Sequence, residues 1–314
     1  MRHPSMSHMY LNLFIIITSF NTRAITCKCL DSLLKLNDFK LGLNFEVILV
    51  DNASSDDSVE FIKINYPLIK VIKNKENLGF SKANNIGVRN TCNTPYILFL
   101  NPDTIVPSRT LNQTIQYIDE HDDIGVLTCA VELWSGKLDW DAHRGFPTPW
   151  VALTRLIKLN SLFPNSKLFN LYNQGWKNIN TIHEVDSVVG AFMLVPRKIG
   201  ELIGWWDEDY FLNGEDIDFC YRVKEKGYKV VYYPPVKIIH HRGASKGTRT
   251  ESQSITHASS EGKLRVANAS IDSMSIFYNK HLRNKYPRIM NVFVDVGLLG
   301  IRLIRKYKIR QKIK

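Results

Sequence analysis

An α/β fold built on a doubly wound, largely parallel sheet is what this sequence predicts, and three observations carry the prediction. Short β-branched apolar runs alternate with segments of helical period over the first 130 residues, the pattern of βαβ units. Polar residues stand directly after those runs, at 18–21, 51–52 and 101–103, where open α/β sheets bind their ligands. Uncharged apolar stretches stop short of the ~18–20 residues that a bilayer span requires. The longest are 11–17 and 292–301, and Asp295 interrupts the second.

The elements follow in order. IIITSF (15–20) reads as a first strand, and the segment through Leu30, Leu33 and Leu34 as a helix. FEVILVDN (45–52) is a second strand, SVEFIKINY (58–66) a short helix and LIKVIKN (68–74) a third strand. SKANNIGVRN (81–90) reads as a helix and PYILFLN (95–101) as a fourth strand. Residues 131–185 are rich in Trp, Pro and Asn without a clean period, and read as a variable insertion with a short helix. SVVGAFMLVP (187–196) alternates like a strand. A helix over 215–227 follows, with Ile217, Cys220 and Tyr221 on one face and Gly227 as its stop. KVVYYPPVKIIHH (229–241) reads as a strand pair, and the pattern is helical from about 257 onward. The implied units are 1–130, 131–250 and a helical extension over 251–314, with no repeat or low-complexity linker.

Composition narrows the classes. With 314 residues, 44% hydrophobic and 23% charged, the chain is neither disordered nor collagen-like. Five cysteines, an odd number without a C-x-x-C pair, point to reduced thiols in the cytoplasm and away from a disulfide frame or zinc site. Arg2 before LNLFIIITSF has the look of a signal peptide, but no small-residue cleavage site follows. A buried first strand accounts for the same residues. Lys plus Arg is 41 against 30 for Asp plus Glu, and residues 281–314 hold ten of the basic residues against Asp295 alone. Such a tail suits an anionic membrane surface or nucleic acid. It lacks the interleaved aromatics of a nucleic-acid stacking platform, apart from Tyr307.

Four segments carry candidate chemistry. In VILVDNASSDDS, Ser54, Ser55, Asp56 and Asp57 suit the first turn of the helix that begins near Ser58. Capping leaves Asp51 and Asn52 unexplained, and a carboxylate at a strand tip can accept hydrogen bonds from a nucleobase or ribose. Neither G-x-G-x-x-G nor G-x-x-x-x-G-K-[ST] is present, so hydride transfer and P-loop chemistry lose support. YILFLNPDT ends a strand on Asn101-Pro102-Asp103, a good turn by itself. At the rim of a nucleotide cleft, Asp103 could also place an oxygen on a divalent cation that holds a diphosphate. Residues 204–222 crowd Asp207, Glu208, Asp209, Glu215, Asp216 and Asp218 beside Trp205, Trp206, Tyr210 and Phe211. Glu215 and Asp216 suit a helix's first turn, yet aromatic faces beside carboxylates are also what a sugar site needs. His240-His241 ends a strand ahead of Gly243.

Taken together, IIITSFN, VDNASSDDS, NLGFSKANNIG, FLNPDT and GAFMLVPR…WWDEDYFLNGEDIDFCYRVKEKGY…HHRGAS resemble the family 2 glycosyltransferases of the GT-A fold, over roughly residues 11–250. The rhamnosyltransferase-like subgroup is the nearest in pattern. The resemblance implies a mixed, mainly parallel sheet flanked by helices, with a nucleotide-sugar half in 1–130 and an acceptor and catalytic half in 131–250. It implies that Thr18, Ser19, Phe20 and Asp51 contact the nucleotide, with Asn77, Gly79 and Asn84 under the ribose and sugar. Asn101 and Asp103 occupy the D-x-D place, the first aspartate replaced by asparagine, and Asp103 keeps the position facing Mn²⁺ or Mg²⁺. His240 matches a histidine that can complete the metal shell, with His241 as the alternative. Asp216 matches the catalytic base, and Trp206, Asp207, Glu208 and Glu215 are the acceptor-side candidates.

The implied reaction is direct displacement with inversion, from dTDP-rhamnose or a UDP-sugar to a hydroxyl of a glycan or polyprenyl-linked acceptor in surface-polysaccharide synthesis. The implied location is cytoplasmic, peripheral at the inner face of the cell membrane through the basic tail, with no nucleic-acid partner. Two other readings stand beside it. A nucleotidyltransferase-like enzyme of nucleotide sugars would need a glycine- and lysine/arginine-rich loop after the first strand, and none is present. An inactive assembly scaffold would not need Asp51, Asp103 and Asp216.

Overall fold

The computed structural model describes residues 12–36, 43–242 and 260–313, without the side chains of 260–267 and 305–313. The first hundred residues build a parallel half-sheet. β1 (Leu13–Ser19) lies between β2 (Phe45–Asp51) and β4 (Tyr96–Leu100), with β3 (Lys70–Lys73) outside β2. Helices α1 (Arg23–Leu34), α2 (Ser58–Asn65) and α3 (Phe80–Arg89) make the crossovers. Leu13, Ile15, Ile16 and Ile17 are wholly buried, because helices cover both faces of a parallel strand. The apolar run at 13–17 is a strand for that reason.

Beyond β4 the sheet becomes mixed. β8 (Phe192–Pro196) runs antiparallel between β4 and β6 (Ile124–Leu133). β9 (Lys229–His240) runs parallel to β6, and β5 (Thr104–Ile105) and β7 (His183–Val185) pair antiparallel with β9. The main path is β3-β2-β1-β4-β8-β6-β9-β5. Helices α4 (Thr110–Asp119), α7 (Arg197–Ile203) and α8 (Glu215–Glu225) flank this half.

Several expectations need correction here. Residues 229–240 are one strand and not a pair. Tyr233 faces Cys129 and Lys237 faces Ala130, so the chain around Pro234 and Pro235 bulges without ending the strand. The alternating run at 187–196 is a strand only from Phe192; Ser187 instead forms an isolated bridge with Arg144. The 131–185 insertion holds two helices, α5 (Pro149–Leu156) and α6 (Leu159–Leu162), along with β7 and a 3₁₀ turn at Trp140–Ala142. Gly243, Ala244 and Ser245 lie outside the described residues.

The extension is helical in two parts. α9 (Ser260–Phe277) passes through a π-helical turn (Tyr278–Leu282) and a 3₁₀ turn (Arg283–Lys285) into α10 (Arg288–Ile313). A second small core of Tyr210, Tyr221, Phe277, Tyr278 and Leu282 docks it on the sheet domain, with Val294 packed against that core. His281 Nε2 stands 2.6 Å from Asp218 Oδ1. Burial would raise the Asp218 carboxyl, but His281 and Arg222 hold it below the usual carboxylate range. α10 is held by Tyr278 Oη donating to Asn291 Oδ1 at 2.5 Å and by the pairs Arg283–Asp295 and Arg302–Asp272. Ile289, Val292, Val296, Leu299 and Leu303, at spacings of three and four, are left exposed along the helix. Among the described residues no helix is long and apolar enough to cross a membrane.

Candidate active site

The parallel order β2-β1-β4 sets the carboxyl ends of three strands side by side. At the first two tips the register pairs Ser19 with Asp51. Thr18 Oγ1, Ser19 Oγ and Asp51 Oδ1 are buried and have no hydrogen-bond partner among the described residues. Leaving one such group unmade costs about 1–3 kcal/mol, so three together mark a place built for a polar ligand. Asp51 Oδ2 accepts from Ser54 N at 2.9 Å, which leaves Oδ1 as the oxygen on offer. Phe20 follows, a residue 41% exposed, as an apolar neighbour of these polar atoms.

The Ser/Asp cluster after Asp51 does less capping than its composition suggests. Asp57, the residue before α2, makes no side-chain cap; Asp56 Oδ1 accepts from Ser58 N at 3.1 Å instead. Ser54 Oγ accepts from Asn21 N, Ser55 N donates to Asn21 Oδ1, and Arg23 pairs with Asp57. These bonds tie the turn after β2 to the turn after β1.

Asn52 is the hub of the next loop. Its Nδ2 donates to Asn77 Oδ1 and Gly79 O, and its Oδ1 accepts from Asn74 Nδ2 and Leu78 N. Gly79 sits at φ +82°, and Phe80 N donates to Phe211 O at 2.8 Å. The donor-side loop and the acidic segment therefore touch at Gly79. Asn84 turns its Nδ2 to Phe80 O within its own helix. Its neighbour Asn85 is the one that reaches out, bonding Trp206 N, Trp206 O and Glu208 Oε1.

At the β4 tip, Asn101 N donates to Ala191 O at 3.1 Å. Asp103 is buried, with Oδ1 3.3 Å from His240 Nε2; His240 Nδ1 stands 3.4 Å from Asp139 Oδ2. Burial would lower the His240 pKa, but Asp103 and Asp139 raise it to about 9. His241 is placed differently: its ring lies 4.3 Å from that of Trp134. Of the two histidines, His240 is the one that meets the Asp103 carboxylate. Among the described residues, no group of three His, Cys, Asp or Glu side chains is arranged to hold a metal ion. One carboxylate and one imidazole make a donor pair that suits Mn²⁺ or Mg²⁺ when phosphate oxygens and water supply the remaining ligands.

Asp216 is the second residue of α8 and is nearly buried. Its Oδ2 accepts from Arg144 Nη2 at 2.7 Å and from Gly190 N at 3.2 Å, and its Oδ1 accepts from Ile217 N at 2.8 Å. Gly190 precedes Ala191, the partner of Asn101, so Asp216 and the β4 tip are joined through adjacent backbone residues. Burial works against the Arg144 charge, but Asp216 raises its pKa above the ordinary arginine value.

The acceptor-side candidates divide. Trp206 is 2% exposed, its ring packed among Phe80, Phe99 and Phe219 at centroid distances of 4.9–5.3 Å. It is a core residue without a face to offer a sugar, which corrects its place among the acceptor contacts. Asp207 and Asp209 both pair with Lys280, and Glu208 lies 3.6 Å from Arg89. Glu215 is buried beside Asp216. A cleft of about 250 Å³ opens between Phe211 and α9, lined also by Asp209, Asp272 and Ser273. Asp139, Arg144 and Arg242 escaped the sequence reading, since they lie in or beyond a stretch without period.

Comparison with known proteins bears on the family and the fold. A family model described as glycosyl transferase family 2 matches residues 14–191. The chain is 25% identical over 267 residues to the low-salt glycan biosynthesis hexosyltransferase Agl10 of Haloferax volcanii, covering 84% of this chain and 78% of Agl10. It is 23% identical over 221 residues to the N-acetylglucosaminyl-diphospho-decaprenol L-rhamnosyltransferase of Mycobacterium tuberculosis, covering 67% and 71%. Among solved structures, GalNAc-T7 with UDP, GalNAc and Mn²⁺ superposes with a TM-score of 0.54 at 16% identity. That alignment covers 87% of this chain but 52% of GalNAc-T7, so the chain spans about half of that protein. The match takes in β1 to β4, Asp51, Asp103 and the turn before β8, more than half of the sequence. The chain therefore belongs to glycosyl transferase family 2, with the GT-A fold.

Proposed function

We propose that the protein is an inverting transferase that moves a sugar from a nucleoside-diphosphate sugar to a hydroxyl of a glycan or polyprenyl-linked acceptor. The observation that carries this is the convergence of unpartnered Thr18, Ser19 and Asp51 atoms, the Asp103–His240 pair and Asp216 at one end of the sheet. Thr18, Ser19, Phe20 and Asp51 would bind the base and ribose, with Asn77 and Gly79 shaping the loop beneath the sugar. Asp216 Oδ1, whose only bond among the described residues is to Ile217 N, has a lone pair for the acceptor proton, while Oδ2 is taken by Arg144 and Gly190. Asp103 and His240 would hold a divalent cation, which offsets charge on the leaving diphosphate when bound. dTDP-rhamnose is the favoured donor and a UDP-sugar the next, by resemblance to the rhamnosyltransferase-like subgroup, and the mycobacterial relative is itself an L-rhamnosyltransferase. Release of nucleoside diphosphate from a panel of sugar nucleotides, with and without Mn²⁺, tests the reading. Turnover with no donor in the panel would overturn it.

Asp103→Ala is expected to weaken donor binding by about tenfold or more with Mn²⁺ present, and little without it, as metal-site substitutions do. Calorimetric titration under both conditions checks this. Equal losses would identify Asp103 as a turn residue.

The extension supplies the membrane part of this reading. The exposed stripe Ile289, Val292, Val296, Leu299 and Leu303 leads into a sequence dense in Lys and Arg, a pattern suited to an anionic leaflet. Each basic residue near such a surface contributes ~1 kcal/mol, so half of the ten would hold the protein there. Full-length protein is expected to sediment with anionic vesicles, less so in high salt. A chain ending at Arg288, where α10 begins, is expected to stay in the supernatant. Equal pelleting of the two chains would remove the tail as anchor. Attachment at the cytoplasmic leaflet is where a polyprenyl-linked acceptor would be met.

A further inference from the structure

Arg144 is built into the base of the site more firmly than an incidental ion pair would be. Its backbone forms a two-way bridge with Ser187, N to O at 3.2 Å and O to N at 2.9 Å. The guanidinium is buried; Nη2 donates to Asp216 Oδ2 at 2.7 Å and to Val188 O at 3.0 Å, and Nη1 lies 3.8 Å from Asp141 Oδ1. Asp141 is itself fixed by Arg242, which also holds Asp139 Oδ1 at 2.6 Å, the carboxylate behind His240. The guanidinium reaches Asp216 and Val188 from Nη2 and Asp141 from Nη1, a planar spread that a lysine ammonium, with all its donors on one nitrogen, cannot cover without losing or moving a partner.

We propose that Arg144 is a positioning residue that aims Asp216 at the acceptor. It occupies Oδ2 together with the Gly190 amide, which fixes the plane of the carboxylate and keeps the acceptor's proton for Oδ1, the oxygen bonded to Ile217 N. The inference rests on the reading of Asp216 as the base. Misplacing a reacting group by about 1 Å can cost 10²-fold, which sets the scale of the effect.

The test is a double-mutant cycle in the full-length protein, using dTDP-rhamnose or whichever sugar nucleotide turns over in the panel. Arg144→Met is expected to lower kcat by about 10²-fold, with the donor KM within about threefold and the binding stoichiometry of the nucleoside diphosphate unchanged. Arg144→Lys is expected to restore about a tenth of wild-type kcat. In the Asp216→Asn background, Arg144→Met is expected to add no further loss, because its effect passes through that carboxylate. A double variant slower than Asp216→Asn by the full effect of Arg144→Met would overturn the proposal. So would an Arg144→Met protein keeping more than about a third of kcat. If Arg144→Met fails to fold, Arg144→Lys completes the cycle, with an expected tenfold loss that vanishes beside Asp216→Asn. A single Asp216→Asn variant that stays active sinks the base reading, and the proposal with it. An inactive one with additive losses sinks the proposal alone.

Discussion

Asp216→Asn is expected to lower turnover by about 10²- to 10⁴-fold while leaving donor binding within a few-fold. A sugar hydroxyl is a poor nucleophile, and its proton must be taken as the bond to the anomeric carbon forms. Asn keeps the size of the side chain, and its carbonyl can still accept from Ile217 N or Arg144 as the carboxylate does. What it lacks is basicity. Arg144 loses its nearer ionic partner, but the Val188 carbonyl and Asp141 remain to it, so the fold is expected to survive. Single-turnover kinetics at saturating donor, beside calorimetric donor titration, separate the chemical step from binding. Retention of more than about a tenth of wild-type turnover would end the general-base assignment.

Gly79→Ala should damage both the fold and the site. The residue sits at φ +82° and ψ −179°, a conformation close to glycine-only, where a side chain costs about 1–3 kcal/mol. An added Cβ would also stand 2.4 Å from Phe211 O and 2.7 Å from the Phe211 ring. The carbonyl cannot swing aside cheaply, since Phe80 N is bonded to it. Forcing the two segments apart adds about 1–3 kcal/mol, and at roughly 2–4 °C per kcal/mol the unfolding midpoint should fall by about 4–24 °C. Gly136→Ala is the control: φ is +77° there, but nothing lies within 4 Å of an added Cβ. Equal losses in the two variants by thermal melting would show that the Phe211 contact relaxes freely.

The centre of the parallel half was legible because β1 and β2 are buried on both faces, which leaves a continuous apolar run at 13–17 and at 47–50. Asp51, Asp103 and Asp216 stood out for a related reason: each stands at the boundary of an element that can be read locally. Long-range pairing cannot be read that way. Nothing in FMLVP says that it lies antiparallel between β4 and β6, and two-residue β5 exists only through His240 and Ile239. Asn84 and Asn85 show the limit at single-residue scale. Both are helical asparagines, and one step of 100° decides which bonds its own helix and which spans to Trp206. Trp206 looked like a sugar platform beside carboxylates, yet the rings that bury it come from three distant elements. Arg144 sits in a stretch whose conformation is set by the bridge to Ser187, and no period announces it.

The late position of β8 in the chain has a consequence for biosynthesis. β4 and β6 are complete by residue 133, but the strand that joins them is Phe192–Pro196, buried along its whole length. While the ribosome translates the intervening insertion, both strands present open apolar edges, the feature that invites pairing with another chain. At ~5–20 residues per second that interval lasts several seconds. The length of the 131–185 segment therefore acts as a clock on how long the nascent protein is vulnerable to aggregation, independently of anything the segment contributes once folded.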